Sequence, residues 1–572
     1  MAMYSQSASI QSSHAPARQR TLITDHDIAF PTLTAAQIDA LRPRGTLRHV
    51  SAGETLWEEG ARGMAFFVVL EGEMEIVDPS GDEVRRITVH RPGEFSGDVD
   101  MLSGRSSLVR AQMLGPGQVL ELDSDGLRRV IREIPEISEM LLRAFLMRRR
   151  LLLSDGYRGM QIIGSRFSPQ AHAIREFCSR NNIPFTWVDV EQDPLAEELL
   201  CRFHVLPEQT PIVVGRGGEL LANPSIPELA HYMGLEAHVA EGEVFDLVVV
   251  GAGPAGLAAA VYAASEGLRV LTVEGEGVGG QAGTSSRIEN YLGFPAGISG
   301  PELARNALLQ AQKFGARISV PQKAVRLGTQ GGLRVVTLDD GSRLITRCVL
   351  VASGAEYRTL GIPNLRQLEG AGVYYAATEM EARLCGGEEV VIVGGGNSAG
   401  QAAMYLSRHA ARVNVVIRGD DLGKGMSRYL VDRVERTPNI TVHQACEVSA
   451  VDGDGTLREV RLRYAGVDEE KVIPTRALFL FIGAQPRTAW LSGCVELDRT
   501  GFVLTGEETR RDGLSVDAWK EAARAPYFLE TSLPGVFAAG DVRAGSVKRV
   551  ASAVGEGSMA ISFVHAHIGA AV

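Results

Sequence analysis

Two glycine-rich turns constrain this chain more than any other feature of its sequence. GAGPAG stands at Gly251 to Gly256 and GGGNSA at Gly394 to Ala399, and each follows an apolar run and opens an alanine-rich segment. One glycine permits a tight turn between strand and helix, a second lets the backbone approach a pyrophosphate, and the helix N-terminus offers unpaired N–H groups. The pair predicts two dinucleotide sites, and therefore hydride transfer between two cofactors.

The surroundings of the first turn strengthen this interpretation. We predict a strand over Phe245 to Val250, a helix over Leu257 to Glu266, and a strand over Val270 to Val273 that ends in Glu274. This is about the spacing at which a carboxylate meets a ribose hydroxyl. The pattern predicts an FAD or NAD site, whereas the alternative is a glycine turn that serves packing alone.

The second turn has a different residue after its next strand. We predict a strand over Val390 to Val393, a helix over Gln401 to Leu406, and a strand over Val413 to Ile417, which is followed by Arg418 instead of an acid. A guanidinium at that place suits a 2′-phosphate, so the sequence favours NADPH over NADH.

Composition limits the remaining possibilities. A chain of 572 residues with 45% hydrophobic residues can bury several cores, and its length suggests about three or four domains. The formal net charge of −11 argues against nucleic acid as a partner. The most apolar stretch, Leu247 to Ala264, is interrupted by glycine and proline and belongs to the nucleotide unit, so we expect no membrane span.

The termini and the cysteines indicate the compartment. Residues 1–20 are rich in Ser, Gln, Ala and Arg, which predicts a disordered tail without a signal peptide. The six cysteines form no CxxC and no zinc spacing, so we expect no metal site and mostly buried thiols. Both observations favour a reducing, cytoplasmic setting.

Residues 21–155 show short strands separated by turns. Met74 and Ile76 alternate with Glu73 and Glu75, and Pro79 to Asp82 forms a turn signal. Period-two alternation of this kind predicts a β-roll or jelly roll. Pro135 then opens an amphipathic helix that continues through Leu152. We expect the arginines at 148–150 to form the solvated end of this helix.

This first unit resembles a cyclic-nucleotide-binding domain over GETLWEEGARGMAFFVVLEGEMEI. The resemblance implies that GEFSGDVDMLSGRSSLV holds a cyclic nucleotide, with Asp98 on the ribose and Arg105 on the phosphate. The segment is shorter than the family's cassette and carries Asp where Glu is usual. The alternative is a degenerate roll that serves packing or dimer contacts.

Residues 157–238 alternate strand-like and helix-like segments, including a predicted helix over Leu195 to Phe203. The unit resembles a thioredoxin or glutaredoxin fold. Ser168-Pro169-Gln170-Ala171 stands where CPYC would stand, and Thr210-Pro211 matches the family's cis-proline turn. Because both thiols are absent, the resemblance implies a docking or spacer domain that cannot cycle a disulfide.

Residues 243–572 resemble the low-molecular-weight thioredoxin reductase family over their whole length. Besides the two turns, the motifs are GGQ at 279–281, IENYLGFPAGISG at 288–300, VLVASGA at 349–355 and GVFAAGDV at 535–542. The resemblance implies a multidomain α/β chain with FAD-domain parts at 243–358 and 483–572. An NAD(P)H domain at 359–482 is inserted between them and joined by two hinge strands.

The resemblance and the glycine turns together give the candidate binding residues. For FAD they are Gly251, Gly253, Pro254, Ala255, Gly256, Glu274, Gly280, Gln281, Asn290, Gly354, Gly540, Asp541, Arg549, Val550 and Ala551. For NADPH or NADH they are Gly394, Gly396, Asn397, Ser398 and Arg418.

The family's redox dithiol is missing. In GVYYAATEMEARLC, Ala376 and Glu379 occupy the two cysteine positions, so we assign no catalytic residue. Cys385 could replace the dithiol or be a buried thiol, and Glu379 could donate a proton or be a solvated helix residue. His565 and His567 could act as acid and base or simply pack within a helix.

Three functions therefore stay open. The first is an NAD(P)H-dependent FAD oxidoreductase that passes electrons to an external acceptor, either a small molecule or a protein. The second is a thioredoxin reductase that acts on a partner disulfide directly at the flavin. The third is a redox sensor without turnover that responds to a cyclic nucleotide or another effector on the first unit. The resemblance to thioredoxin reductases implies a homodimer.

Overall fold

The computed structural model describes residues 24–79, 84–103, 106–154, 160–193, 196, 200, 205, 209–215, 219–285, 287–288, 290–369, 371–375, 377, 379–467, 469–509, 519–520, 522 and 524–570. Several predicted features lie outside these residues: the tail over 1–20, Arg105, Ala376, most of the turn after Pro79 and most of the helix over 195–203. Within the described residues, no helix has the length and apolar character that a membrane crossing requires.

The first unit is a β-roll with helices at both ends. Its elements are α1 (Asp25–Ala29), α2 (Ala35–Leu41), β1 (Thr46–Val50), β2 (Thr55–Trp57), β3 (Phe66–Glu71), β4 (Met74–Asp78), β5 (Arg85–His90), α3 (Asp100–Ser103), β6 (Arg110–Met113), β7 (Gly117–Leu122), α4 (Ser124–Glu133) and α5 (Pro135–Ser154). The strands form two antiparallel sheets with the orders β1-β7-β3 and β2-β6-β4-β5. Phe66, Phe95 and Phe145 meet at its centre, with ring centroids 5.7 to 6.4 Å apart.

Two expectations for this unit are wrong. Strand β4 does not alternate: Glu75 is 6% exposed, because Arg86 donates to its carboxylate at 2.8 Å and Gln112 donates from the neighbouring strand. The helix end at 148–150 is not wholly solvated either. The Arg148 guanidinium donates to three backbone carbonyls, those of Ala29, Phe95 and Gly97, at 2.7 to 2.9 Å. Hydrogen-bond partners on other segments of the chain compensate both buried charges. The local sequence pattern does not show which segments supply these partners.

The second unit has a small mixed sheet. Its elements are β8 (Gln161–Gly164), α6 (Pro169–Arg180), β9 (Thr186–Asp189), β10 (Ile212–Val214), β11 (Leu220–Ala222) and α7 (Ile226–Met233). Strands β8 and β9 are parallel and α6 connects them, while β10 runs antiparallel to β8 and β11, in the order β11-β10-β8-β9. The Thr210–Pro211 peptide bond is cis, as the thioredoxin resemblance implies.

The first nucleotide-binding unit begins with a parallel sheet. Its elements are β12 (Val244–Val250), α8 (Pro254–Ser265), β13 (Val270–Val273), α9 (Gly280–Gly283), α10 (Gly300–Lys313), β14 (Arg317–Ser319), β15 (Ala324–Gln330), β16 (Leu333–Leu338) and β17 (Arg343–Val351). The strand order is β14-β13-β12-β17-β16-β15, in which β15 and β16 form an antiparallel hairpin. The short apolar runs of the sequence are therefore buried central strands.

The second nucleotide-binding unit follows. Its elements are β18 (Ala355–Tyr357), β19 (Val373–Tyr374), α11 (Glu379–Leu384), β20 (Glu389–Val393), α12 (Asn397–Leu406), β21 (Arg412–Val416), α13 (Arg428–Arg436), β22 (Ile440–His443), β23 (Cys446–Gly453), β24 (Leu457–Tyr464), β25 (Lys471–Pro474), β26 (Leu478–Leu480) and β27 (Ala484–Pro486). A parallel sheet has the order β19-β26-β20-β21-β22, and β23, β24 and β25 form an antiparallel sheet. Strands β18 and β27 pair where the sequence predicts the hinge.

The chain then returns to the first nucleotide-binding unit. Strand β28 (Val536–Ala538) pairs with β17, and helix α14 (Val550–Ala570) packs on α8. A Cβ at Gly557 of α14 would lie 2.1 Å from the Ala255 carbonyl oxygen, so the two helices approach closely at this glycine. The second nucleotide-binding unit is thus an insertion within the first.

Candidate functional site

The first glycine turn contains two glycines that the fold requires. Gly251 directly follows β12 with φ +110°, and a Cβ there would lie 2.3 Å from the Ala352 carbonyl oxygen. Gly256 is equally restricted, because its Cβ would lie 1.9 Å from the Gly251 oxygen. These two glycines let β12, β17 and α8 come together.

Gly253 differs, because the space beside it is open. A Cβ at Gly253 would meet only the Gly280 Cα, at 3.9 Å. The first hydrogen bond of α8 runs from Leu257 N to Gly253 O at 2.9 Å, so the amides of Ala255 and Gly256 precede every intrahelical bond. Unpaired amides beside an open glycine at a helix N-terminus make an anion site, and a pyrophosphate fits it.

Glu274 lies at this turn. It is 8% exposed, and its carboxylate accepts hydrogen bonds from the amides of Ala252 at 2.8 Å and Glu276 at 2.9 Å. The structure therefore brings the predicted ribose acid to the glycine turn and fixes its orientation by backbone donors. Its contact with a ribose stays a prediction.

The other predicted flavin residues lie on three further segments, of which the structure brings the one with Gly280 to the glycine turn. Gly280, with φ +54°, faces Gly253, and the Gln281 side chain donates to the Ala355 carbonyl oxygen at 2.7 Å. Gly354 has φ +65° and open space where a Cβ would stand. Asn290 is exposed.

Gly540 and Asp541 come to the same place from the end of the chain. A Cβ at Gly540 would lie 3.0 Å from the Ala255 Cβ, so the Asp541 turn abuts the start of α8. Burial raises the pKa of the Asp541 carboxyl. Arg549 and Ala551 are exposed at the start of α14, and Val550 is half-buried.

Sequence reasoning missed Glu556. This residue of α14 accepts hydrogen bonds from the Gly540 amide at 2.7 Å and from Arg543 at 2.6 Å, so it holds the Asp541 turn in position. The available signal was a single acid, between two glycines, within an otherwise apolar helix.

The second glycine turn repeats the geometry of the first. Gly394 has φ +140°, and a Cβ there would lie 2.2 Å from the Phe481 oxygen, whereas a Cβ at Gly396 would meet only the Gly425 oxygen, at 3.9 Å. The first hydrogen bond of α12 runs from Gly400 N to Gly396 O, so the Ser398 amide is unpaired within the helix. The same features as at the first turn, an open glycine and an unpaired amide at a helix N-terminus, suit an anion here.

Two further predicted residues lie at this turn. Arg418 is exposed just beyond β21, and its neighbour Ile417 would lie 3.4 Å from a Cβ at Gly395. The Asn397 side-chain oxygen accepts from the Ser427 amide at 2.7 Å and hydroxyl at 2.8 Å. Asn397 therefore holds the loop before α13, a role that the sequence did not predict.

The segment over 372–385, where the resemblance implies a dithiol, contains buried residues on either side of positions 376 and 379. Glu379 begins α11, Tyr374 is 7% exposed and Cys385 is 1% exposed. Burial, with help from the carboxylates of Glu381 and Glu388, raises the pKa of the Cys385 thiol to about 12. The thiol is therefore protonated at neutral pH, which agrees with a packing role.

The described cysteines and the described groups of possible metal ligands bear on the sequence expectations of buried thiols and no metal site. All five described cysteines are unpaired, and no group of three or more His, Cys, Asp or Glu side chains is placed to hold a metal ion. His567 lies 3.1 Å from Arg524, and burial lowers the pKa of its imidazole, which fits the packing alternative.

The β-roll contains a partly open cavity of about 300 Å³. Asp98, Trp57, His90, Arg148 and Arg149 are among its lining residues. The Asp98 carboxylate lies 3.6 Å from the Arg149 guanidinium, so the predicted ribose acid faces the cavity but already has a cationic neighbour. The two arginines were not predicted to line a site.

Comparison with known proteins gives matches to two family models. The model described as pyridine nucleotide-disulphide oxidoreductase matches residues 245–557, and the model described as cyclic nucleotide-binding domain matches residues 47–133. The first covers both nucleotide-binding units, and the second covers most of the β-roll.

Individual relatives resemble the same C-terminal part. The thioredoxin reductase of Treponema pallidum is 34% identical over 316 residues, 55% of this chain and 94% of that protein. The thioredoxin reductase of Mycolicibacterium smegmatis is 35% identical over 323 residues, 55% of this chain and 94% of that protein. The crystal structure of T. acidophilum thioredoxin reductase matches with a TM-score of 0.50 and 30% identity, covering 57% of this chain and 99% of that chain.

Proposed function

Because the chain belongs to the pyridine nucleotide-disulphide oxidoreductase family, we propose that it is an NAD(P)H-dependent FAD oxidoreductase that reduces an external acceptor without a redox dithiol of its own. The observation that carries this proposal is the pair of open glycines, Gly253 and Gly396, each at a helix N-terminus with unpaired amides. Bound FAD would supply the group that takes hydride from a reduced nicotinamide and gives electrons to an acceptor.

In this proposal the chain's own residues bind and orient FAD. The amides of Ala255 and Gly256 hold the pyrophosphate, and Gly253 leaves room for it. Glu274 accepts from a ribose hydroxyl, and Asp541 accepts from the ribityl chain. The remaining predicted residues complete the pocket: Gly251, Pro254, Gly280, Gln281, Asn290, Gly354, Gly540, Arg549, Val550 and Ala551.

The second site holds the reduced nicotinamide nucleotide. The Ser398 amide and the open backbone at Gly396 bind its pyrophosphate, and Gly394 and Asn397 shape the turn. The Arg418 guanidinium is exposed at the end of β21, where it can pair with a 2′-phosphate. We therefore propose NADPH, in preference to NADH, as the donor.

The acceptor must be external because the family's sulfur pair is replaced. Ala376 and Glu379 carry a methyl and a carboxylate, neither of which exchanges a disulfide. The Cys385 thiol, with a pKa raised to about 12, has almost no thiolate at neutral pH. The acceptor class includes quinones, small electron carriers, dioxygen and protein disulfides.

Anaerobic mixing of the purified protein with NADPH or NADH tests the proposal. We expect a yellow protein whose flavin absorbance bleaches with NADPH faster than with NADH and returns when an acceptor is added. A colourless protein that does not bind added FAD would contradict it. So would a flavin that neither nucleotide reduces.

A second candidate is reduction of a protein disulfide directly at the flavin. The thioredoxin reductases among the relatives favour it. Thioredoxin mixed with the protein and NADPH would then gain thiols in proportion to NADPH consumed. Thiol formation no faster than without the protein would exclude this candidate.

A third candidate is a sensor that responds to an effector on the β-roll. The cavity of about 300 Å³ and the match to the cyclic-nucleotide-binding family favour a ligand there. Cyclic AMP and cyclic GMP should then raise the melting temperature or change the rate of flavin reduction, since an effector must bind two states differently. If neither quantity changes with either nucleotide, the β-roll has a packing role.

The proposal also includes a homodimer located in the cytoplasm. Light scattering of the purified protein, which gives its mass in solution, tests the dimer. Fractionation of expressing cells tests the location.

A further inference from the structure

Helix α6 begins at the sulfur-free counterpart of a thioredoxin motif. The Ser168 hydroxyl caps the helix by accepting from the Ala171 amide at 3.2 Å. A Cβ at Gly164 would lie 3.1 Å from the Pro211 Cβ and 3.3 Å from the Ala171 Cβ, so the motif and the cis-proline turn lie side by side. The sulfur-free motif and the cis-proline turn therefore form one edge of this unit.

The amino-terminal half of α6 contacts the second nucleotide-binding unit. The His172 ring lies 5.4 Å from the Tyr374 ring, which precedes position 376 by two residues. Burial lowers the pKa of His172 to about 4, so this ring is neutral at pH 7. Burial also lowers the pKa of the Arg175 guanidinium, and the carboxylate of Glu381, two residues beyond position 379, opposes that shift. Helix α6 therefore meets residues on both sides of the replaced dithiol.

The carboxyl-terminal half of α6 contacts the first nucleotide-binding unit. The Arg180 guanidinium lies 3.5 Å from the Glu276 carboxylate, which also pairs with Arg487, just beyond the hinge strand β27. Ile174 and Phe177 share one apolar core with residues of that unit, including Leu257 and Val278. One helix thus packs on both nucleotide-binding units through buried apolar surface and charge pairs.

Taking the proposed function as the premise and going beyond it, we propose that the thioredoxin-like unit occupies the surface that a protein disulfide would have to reach. This coverage restricts the acceptor to small molecules. Disulfide exchange needs direct contact between sulfur atoms, so a protein partner of a dithiol at positions 376 and 379 would have to approach this surface. Helix α6 lies on the residues that flank these positions, and its one cysteine, Cys178, is buried, which raises the pKa of its thiol to about 12.

A small acceptor does not need this surface. With a quinone, NADPH gives a hydride, solvent gives a proton, and the products are NADP⁺ and a hydroquinone. No sulfur takes part, so the reaction is compatible with α6 in place.

Hydrogen exchange on the full chain with FAD bound measures whether α6 covers this surface. In the double variant His172→Glu/Arg175→Glu, one carboxylate opposes Glu381 and the other is buried beside the Tyr374 ring. We therefore expect the amides of residues 371–375 and 379–384 to exchange at least about tenfold faster. Ser179→Glu is the matched control, because it adds a carboxylate to the same helix at an exposed position. Equal exchange in the wild type and the double variant would overturn the proposal.

A second experiment restores the sulfur pair in the unchanged fold. Ala376→Cys/Glu379→Cys should reduce a quinone but reduce thioredoxin no more than about twofold faster than the wild type. Adding His172→Glu/Arg175→Glu to it should raise thioredoxin reduction at least about tenfold. Rapid thioredoxin reduction by Ala376→Cys/Glu379→Cys alone would overturn the proposal. So would an unchanged rate in the combined variant, provided that NADPH has reduced the disulfide between its two introduced cysteines to thiols.

The two hypotheses can fail separately. Failure of the proposed function appears as no NADPH oxidation with any acceptor. The hydrogen-exchange result does not depend on turnover, so it still decides whether α6 covers the surface.

Discussion

Replacing Gly253 by alanine should weaken FAD binding while leaving the apoprotein folded. Gly253 has φ −74°, which alanine adopts without strain, and the added Cβ would meet only the Gly280 Cα at 3.9 Å. We expect the unfolding free energy of the apoprotein to change by about 1 kcal/mol or less, because a poorer N-cap is offset by a less flexible unfolded chain. The methyl would nevertheless stand where a pyrophosphate has to approach the backbone.

Replacing Gly251 by alanine should instead destabilise the folded apoprotein. Its φ of +110° is unfavourable for alanine, and the Cβ would lie 2.3 Å from the Ala352 oxygen. Backbone strain costs about 1–3 kcal/mol, and displacing the end of β17 costs about as much again. We expect the unfolding free energy to fall by about 2–6 kcal/mol.

Two measurements separate these effects. Urea unfolding of the apoproteins gives the stability change, and titration of the apoproteins with FAD gives the dissociation constant. For Gly253→Ala we expect the dissociation constant to rise at least about 100-fold, which corresponds to about 2.7 kcal/mol. Gly328→Ala, in β15, is the control, because its Cβ would meet no atom within 4 Å and it is remote from the turn.

Two results would refute this reasoning. If Gly253→Ala binds FAD as tightly as the wild type, the open space beside Gly253 is not the pyrophosphate site. If Gly253→Ala loses as much stability as Gly251→Ala, the contrast between the two glycines is wrong.

Three further predictions concern the charged groups. Arg418→Ala should raise the KM for NADPH about tenfold and leave the KM for NADH unchanged, because only NADPH has a 2′-phosphate. Steady-state kinetics in which both KM values change by the same factor would contradict this prediction. Arg148→Met should lower the unfolding free energy of the β-roll by about 3 kcal/mol, since three carbonyls lose their donor. The control Arg150→Met, at an exposed position, should change the unfolding free energy measured in urea by less than about 0.5 kcal/mol. Burial lowers the pKa of His90 from 6.5 to about 4, so the unfolded chain binds a proton that the folded chain excludes. Stability should therefore be complete above pH 6.5 and fall towards pH 4, by at most about 1.4 kcal/mol per pH unit, and His90→Gln should flatten that dependence.

The sequence predicted much of the secondary structure around the two glycine turns. The strand predicted over Val270 to Val273 has these bounds, and the one over Val390 to Val393 is extended by a single residue. Short apolar runs bounded by glycine turns leave few alternatives to a buried parallel strand. The helices were predicted too short at their amino ends, because α8 begins at Pro254 and α12 at Asn397, directly after the turn glycines.

Prediction failed where a charge is buried by a distant partner. Glu75 looked like the polar residue of an alternating strand, and Arg148 looked like part of a solvated helix end. Their partners, Arg86 and Gln112 for the first and three carbonyls for the second, lie on other elements. Glu556 was missed for the same reason, since its bond to the Gly540 amide joins residues of a turn and a helix.

The sequence by itself determined the two dinucleotide turns, the absence of sulfur at positions 376 and 379, and the order of the four units, because each depends on residue types within a short stretch. Only the tertiary structure decided that a Cβ has room at Gly253 but not at Gly251, since the space at Gly251 depends on the Ala352 carbonyl about a hundred residues later. It also placed α6 against Tyr374 and Glu276. Such contacts join segments far apart in the chain, and local patterning contains no record of which surfaces will meet.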